Sequence, residues 1–62
     1  MKFEINDSDD GQYYFNLKAN NGEVVATSEM YTTKQSCRDG INSVKQITID
    51  TEVIDNTIEN NL

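Results

Sequence analysis

From Gln12 to Ala19 the side chains alternate without interruption: Tyr13, Phe15, Leu17 and Ala19 fall on one side, Tyr14, Asn16 and Lys18 on the other. A period of two belongs to an extended strand with one face buried, and it gives a helix no coherent apolar face. Asn20-Asn21-Gly22 follows at once. Asn-Gly supplies the positive φ values of a tight primed turn, so the chain is expected to reverse and pair with itself. This segment therefore requires an antiparallel sheet.

The flanking segments supply its partners. Lys2 to Asn6 alternates in the same way, with Phe3 and Ile5 facing in, and Asp7-Ser8-Asp9-Asp10-Gly11 ends it with residues whose side chains bond nearby backbone. Glu23 to Ser28 reads as a third strand, although the adjacent Val24 and Val25 leave open which of the two points inward. Three strands joined by two short polar turns make a meander.

Beyond Tyr31 the period changes. Thr32 or Thr33 can cap a helix, and Thr32-Thr33-Lys34-Gln35 fits a capping box in which Gln35 reaches back. The helix is expected to run to about Gln46. Cys37, Ile41 and Val44 recur at helical spacing on one face, with Lys34, Arg38 and Lys45 opposite. Gly40 costs about 1 kcal/mol of helix propensity relative to Ala, so its presence predicts that the helix approaches the sheet too closely there for a Cβ. Ile47-Thr48-Ile49 and Glu52-Val53-Ile54 have strand propensity, and a fourth strand is expected near residues 51–55. The order is β-β-β-α-β, one domain over residues 1–55, with 56–62 a frayed tail.

A chain of 62 residues buries only about 60% of the surface its unfolded form exposes. Small domains usually need an additional device, a disulfide, a metal or a partner. The lone Cys37 excludes an internal disulfide, and the absence of His and of a second Cys excludes a Cys/His zinc site. Self-association remains.

Charge narrows the partners. Eleven carboxylates against five Lys and Arg give a net charge of −6, which repels a phosphate backbone or an anionic membrane surface. No nucleic-acid or membrane partner is expected. No apolar stretch approaches the roughly 20 residues of a membrane helix, and Met1-Lys2-Phe3-Glu4 has none of the features of a signal peptide. A single unpaired thiol fits a reducing compartment, so a cytoplasmic location is expected.

Several motifs together resemble the YegP-like domain, a family of small, mostly bacterial proteins of unknown function. They are Phe3, the run from Gly11 to Glu23, Ser28-Glu29-Met30-Tyr31-Thr32, and Gly40-Ile41-Asn42-Ser43-Val44-Lys45. The resemblance covers about residues 3–48. It implies either two tandem β-β-β-α-β units in one chain or one unit per chain, combined into a single antiparallel sheet with exchanged C-terminal strands and helices on one face. With one unit here, the implied state is a symmetric homodimer in which the segment near Glu52 to Ile54 pairs with the partner's sheet. After Lys45 the chain departs from the family pattern with Gln46-Ile47-Thr48-Ile49-Asp50.

Candidate sites compete with plainer readings. The acidic run before Gly11 suggests a calcium loop, but counting from Asp7 places the Gly one position early and Lys18 where a bidentate acid belongs. A solvated turn is the better reading. Cys37 has no His to act as its base and shares the core stripe, which makes it a packing residue. Ser28, Glu29, Tyr31 and Ser43 are polar positions of the family signature. They are either a pocket for a small polar ligand or peptide terminus, or groups that bond backbone near the helix start while Tyr31 staples the turn. Tyr14, on the sheet face opposite Phe15, is either an exposed or dimer-contact tyrosine or a ligand platform.

The sequence thus predicts an α+β domain acting as a non-catalytic, homodimeric module for protein interaction or binding, with no cofactor and no metal. The alternative is a small-molecule binder or enzyme at the Ser28-Glu29-Tyr31 region. No phosphate-cradling Gly loop or metal set supports the enzyme version.

Overall fold

The computed structural model describes residues 1–58. Three strands and one helix form, in the order β1 (Lys2–Asp7), β2 (Tyr13–Lys18), β3 (Val24–Thr27) and α1 (Lys34–Val44). The strands make one antiparallel sheet in the order β1-β2-β3. This is the α+β meander and helix that the alternation and the change of period predict.

Register sets the two faces. Phe3 lies opposite Leu17 and Ile5 opposite Phe15, while Glu4 faces Asn16 and Asn6 faces Tyr14. The first set turns toward α1. The second forms a polar outer face, where Glu4 accepts from Lys18 at 2.8 Å and Lys2 at 3.3 Å. Those two contacts hold the Glu4 carboxyl below its ordinary pKa, Lys18 contributing most.

Both hairpins use one device. In the first, Ser8 N–H donates to Gln12 O at 2.9 Å and Gly11 N–H to Ser8 O at 3.2 Å; in the second, Ala19 N–H donates to Glu23 O and Gly22 N–H to Ala19 O, both at 2.9 Å. Gly11 and Gly22 take φ of +82° and +88°, and no other described residue has positive φ. The second turn is therefore not the primed turn expected from Asn-Gly. It is a three-residue loop in which a type I turn leads into one left-handed Gly, so Asn21 keeps an ordinary backbone and Gly22 alone carries the reversal. Asn21 instead accepts from Glu23 N–H at 3.1 Å. In the first turn Ser8 donates to Asp10, which holds that carboxyl below its usual range. The acidic run is a turn, and among the described residues no group of three His, Cys, Asp or Glu could hold a metal ion.

Thr33 is the N-cap of α1: its Oγ1 accepts from Ser36 N–H at 3.0 Å and donates to Ser36 Oγ at 2.9 Å. Ser36 rather than Gln35 closes the cap. Gln35 is one position too early to reach back, and it donates to Asp39 at 3.0 Å instead.

The helix lies across β2. Phe15, Cys37 and Ile41 are buried, and Phe3, Ile5, Tyr13, Tyr31 and Val44 pack around them partly exposed. Phe3 meets Phe15 edge to face, with ring centroids 5.7 Å apart. Cys37 is 0% exposed, and burial pushes its thiol pKa up, as a packing thiol should behave.

The expected C-terminal strand does not form within the single chain. Residues 51–58 carry no regular structure, and Val53 and Ile54 are 90% and 68% exposed. A strand needs a neighbour for its backbone groups, and among the described residues nothing in the chain's own sheet pairs with this segment. The radius of gyration is 15.0 Å, well above the roughly 11 Å of a compact chain this long. Residues 59–62 of the expected tail lie outside the described residues.

Candidate functional site

Sequence reasoning grouped Ser28, Glu29, Tyr31 and Ser43, with Tyr14 on the other sheet face. The structure explains each position, and it does not gather them into one cavity.

After Thr27 the third strand peels away from β2 and returns at Tyr31. Ser28 spans the gap: its N–H donates to Phe15 O at 2.9 Å, and its Oγ accepts from Phe15 N–H at 2.9 Å while donating to Glu29 O at 2.7 Å. The Ser28 hydroxyl thus stands where a ladder carbonyl would be. At Tyr31 pairing resumes, with Tyr31 N–H donating to Tyr13 O at 2.7 Å and Tyr13 N–H to Tyr31 O at 2.8 Å. Between these anchors Glu29 and Met30 bulge outward, both exposed. Ser28 bonds β2, not the helix N-terminus as its plainer reading supposed, because Thr33 already serves that end.

The Tyr31 ring then turns under α1. It stacks on Phe15 at 6.3 Å with an interplanar angle of 17° and lies against Gly40. A Cβ on Gly40 would meet the Tyr31 hydroxyl, would sit 2.8 Å from Tyr31 Cζ, and would stand 3.3 Å from Phe15 Cε2. Gly40 is needed for a close approach, but the group nearest it is the Tyr31 ring from the β3–α1 connection, with Phe15 of the sheet expected there standing farther off. Tyr31 is a staple.

Ser43 lies far along the helix, exposed, and its hydroxyl donates back to Asp39 O at 3.3 Å. Tyr14 borders a shallow hollow with Met30 and the acidic turn from Asp7 to Asp10. Of the five, Glu29 and Ser43 are exposed and Tyr14 is half-buried. Ser28 and Tyr31 are engaged in holding the sheet to the helix.

A larger cleft opens elsewhere. Because α1 covers β2, the inner face of β1 is left half-covered, and a cleft of about 580 Å³ runs between β1 and α1. Phe3, Ile5 and Ile41 form its apolar floor, and Lys2, Arg38 and Lys45 border it. These are three of the five cations in a chain of net charge −6. Sequence reasoning missed this site. Arg38 and Lys45 read as a solvated helix face, and nothing local brings Lys2 to the same place.

The family profile described as a domain of unknown function, DUF1508, matches residues 8–55. The chain is similar to a UPF0339 protein of Photorhabdus laumondii, 56% identical over 43 residues that make up 69% of this chain and 38% of that protein. It is also similar to the UPF0339 protein YegP of Escherichia coli, 54% identical over 43 residues, 69% of this chain and 39% of that one. The chain thus spans about two fifths of the length of the curated relatives it matches. Among solved structures it is similar to a protein from Haloferax volcanii determined by NMR in solution, with a TM-score of 0.74 and 34% identity over 87% of this chain and 92% of that one.

Proposed function

The chain belongs to the DUF1508 family, the YegP-like domain of unknown function, and from that membership we propose that it is a non-catalytic association module completed by a second copy of itself. In this reading the segment near Glu52 to Ile54 leaves its own chain and adds as a strand to the partner's sheet. One observation carries it: a domain with three buried hydrophobic side chains among the described residues leaves Ile47, Ile49, Val53 and Ile54 in solvent beside a sheet with two open edges. Isolated exposed aliphatics are ordinary, but a run of them on an unpaired segment marks an interaction surface. The lengths of the relatives support the same view. A chain of which this unit is two fifths has room for two units, while the Haloferax volcanii protein is matched over nearly its whole length as one.

The buried, unpaired Cys37 supports a reducing, cytoplasmic setting for this module. The test is native mass by light scattering across a dilution series, with the full chain and with a chain ended after Gln46. We expect twice 7.0 kDa for the full chain and an unfolded or aggregating product for the short one. A full chain that stays at monomer mass at every concentration, or a short one that is a soluble folded monomer, would overturn the exchange.

A further inference from the structure

Charge is unevenly placed on this molecule. Eleven carboxylates outnumber five cations along the chain, yet no Asp or Glu lines the cleft between β1 and α1, whereas Lys2, Arg38 and Lys45 do. The acidic turn from Asp7 to Asp10 borders a separate hollow with Tyr14 and Met30. Glu4 holds Lys2 at 3.3 Å, but among the described residues neither Arg38 nor Lys45 has a carboxylate partner. Ile41 stands between those two cations, three residues after Arg38 and four before Lys45, a spacing at which helix side chains are neighbours. Across the gap β1 presents Phe3 and Ile5, both half-buried.

We propose that this cleft binds a small amphipathic carboxylate, an acyl chain or ring system with one anionic head. Arg38 and Lys45 hold the head, and Phe3, Ile5 and Ile41 take the apolar body. Ligand pockets combine mostly apolar walls with a few polar groups that fix orientation, in roughly 300–1,000 Å³; this cleft, at about 580 Å³, has both parts. A guanidinium presents a planar fork to a carboxylate, and an ammonium adds a compact charge. The net charge of −6 does not forbid such a ligand. Charges are screened over about 8 Å at physiological salt, so a small anion in the cleft senses chiefly the cations beside it, whereas an anionic membrane surface meets the whole chain. This binding does not depend on the association proposed above, because the cleft is a gap between side chains of β1 and α1 within one chain.

The probe is decanoate, titrated into the isotope-labelled full chain and followed by NMR. Saturable shifts are expected at Phe3, Ile5 and Ile41 and at the Arg38 side chain. Shorter acids read the apolar floor: one buried methylene is worth about fourfold in affinity, so octanoate should bind at least about tenfold more weakly and acetate should give no saturable shift. Decanol and decyltrimethylammonium carry the same chain with a neutral or cationic head, and each should bind at least about tenfold more weakly than decanoate. Arg38→Gln with Lys45→Gln, both exposed positions, should weaken decanoate at least about tenfold and leave decanol unchanged, with circular dichroism checking that the variant is folded.

Decanol that binds as tightly as decanoate, or a folded double variant that binds decanoate as the wild type does, refutes the cationic border. Shifts confined to residues 47–58, whose aliphatic side chains are exposed, refute the cleft as the site, as does the absence of any saturable shift up to millimolar acid. Native mass measured on the same samples reads association separately. A monomer that takes up decanoate between β1 and α1 supports the site while overturning the homodimer, and a stable dimer that ignores decanoate does the reverse.

Discussion

Replacing Gly40 by Ala sets two effects of opposite sign against each other. On an isolated helix the change is worth about 1 kcal/mol in favour of Ala. In this molecule the new Cβ would stand 2.8 Å from Tyr31 Cζ and 3.3 Å from Phe15 Cε2, inside the roughly 3.5–4.0 Å of a comfortable carbon contact. Tyr31 cannot simply step aside. Its backbone is paired with Tyr13 through both its N–H and its carbonyl, and its ring is stacked on Phe15. Overpacking of this kind costs about 1–3 kcal/mol, and a disturbed aromatic pair adds about 0.5–1.5 kcal/mol. Taken near the middle, these outweigh the helix gain, and Gly40→Ala should destabilise by about 1–2 kcal/mol. For a domain of this size that lowers the melting temperature by about 5–15 °C. The assay is thermal unfolding by circular dichroism at one fixed protein concentration, because association shifts the apparent midpoint. A double-mutant cycle isolates the cause. With Tyr31→Leu already present, Gly40→Ala should become neutral or stabilising by about 1 kcal/mol. A single Gly40→Ala chain as stable as the wild type, or a loss that persists undiminished in the Tyr31→Leu background, where the ring is gone, would refute the argument that the ring forbids a Cβ.

Other consequences follow from the caps, the thiol and the outer ion pairs. Thr33→Ala removes the acceptor for Ser36 N–H and should cost about 1 kcal/mol, measurable by urea denaturation with an unchanged m-value. Ser28→Ala leaves Phe15 N–H without its acceptor, so a loss of about 1–3 kcal/mol is expected, together with faster amide exchange at Phe15. Cys37 should react with a thiol reagent only at the rate at which the domain opens, and fully once it is unfolded in denaturant. Because burial raises its pKa, the linked stability is complete below the ordinary thiol pKa and declines as pH rises above it; a pH-stability profile of Cys37→Ala should lack that decline. Glu4 behaves in the opposite sense. Its folded pKa is lowered by Lys18 and then Lys2, so its contribution is present above the ordinary Glu value and is lost as pH falls through the lowered one. A carboxyl NMR titration should place Glu4 below the usual range, and Lys18→Met should move it back up.

Whatever was local and periodic could be read from the order of residues. The alternation from Tyr13 to Lys18 told which side chains face the helix, since a strand has only two faces. The spacing of Cys37, Ile41 and Val44 located the helix stripe. Gly11 and Gly22 marked both turns, because each must hold a positive φ. Even the presence of Gly40 in a helix carried the message that something comes too near for a Cβ.

Features that depend on distant residues meeting emerged only in the assembled molecule. That Ser28 replaces a ladder carbonyl required β3 to leave β2 at that residue, and the sheet alone shows which backbone group it serves. That Gly40 makes room for Tyr31, nine positions earlier, depended on where the β3–α1 connection laid the ring. The cleft is the clearest case. Lys2 and Arg38 are 36 positions apart in the chain, and no period links them. They come to one place because the helix lies over β2 and leaves the inner face of β1 half-covered. Local sequence sets which side of an element is apolar, whereas the gap between two elements is set by how their side chains pack. A site built across such a gap is therefore legible only once the fold is assembled.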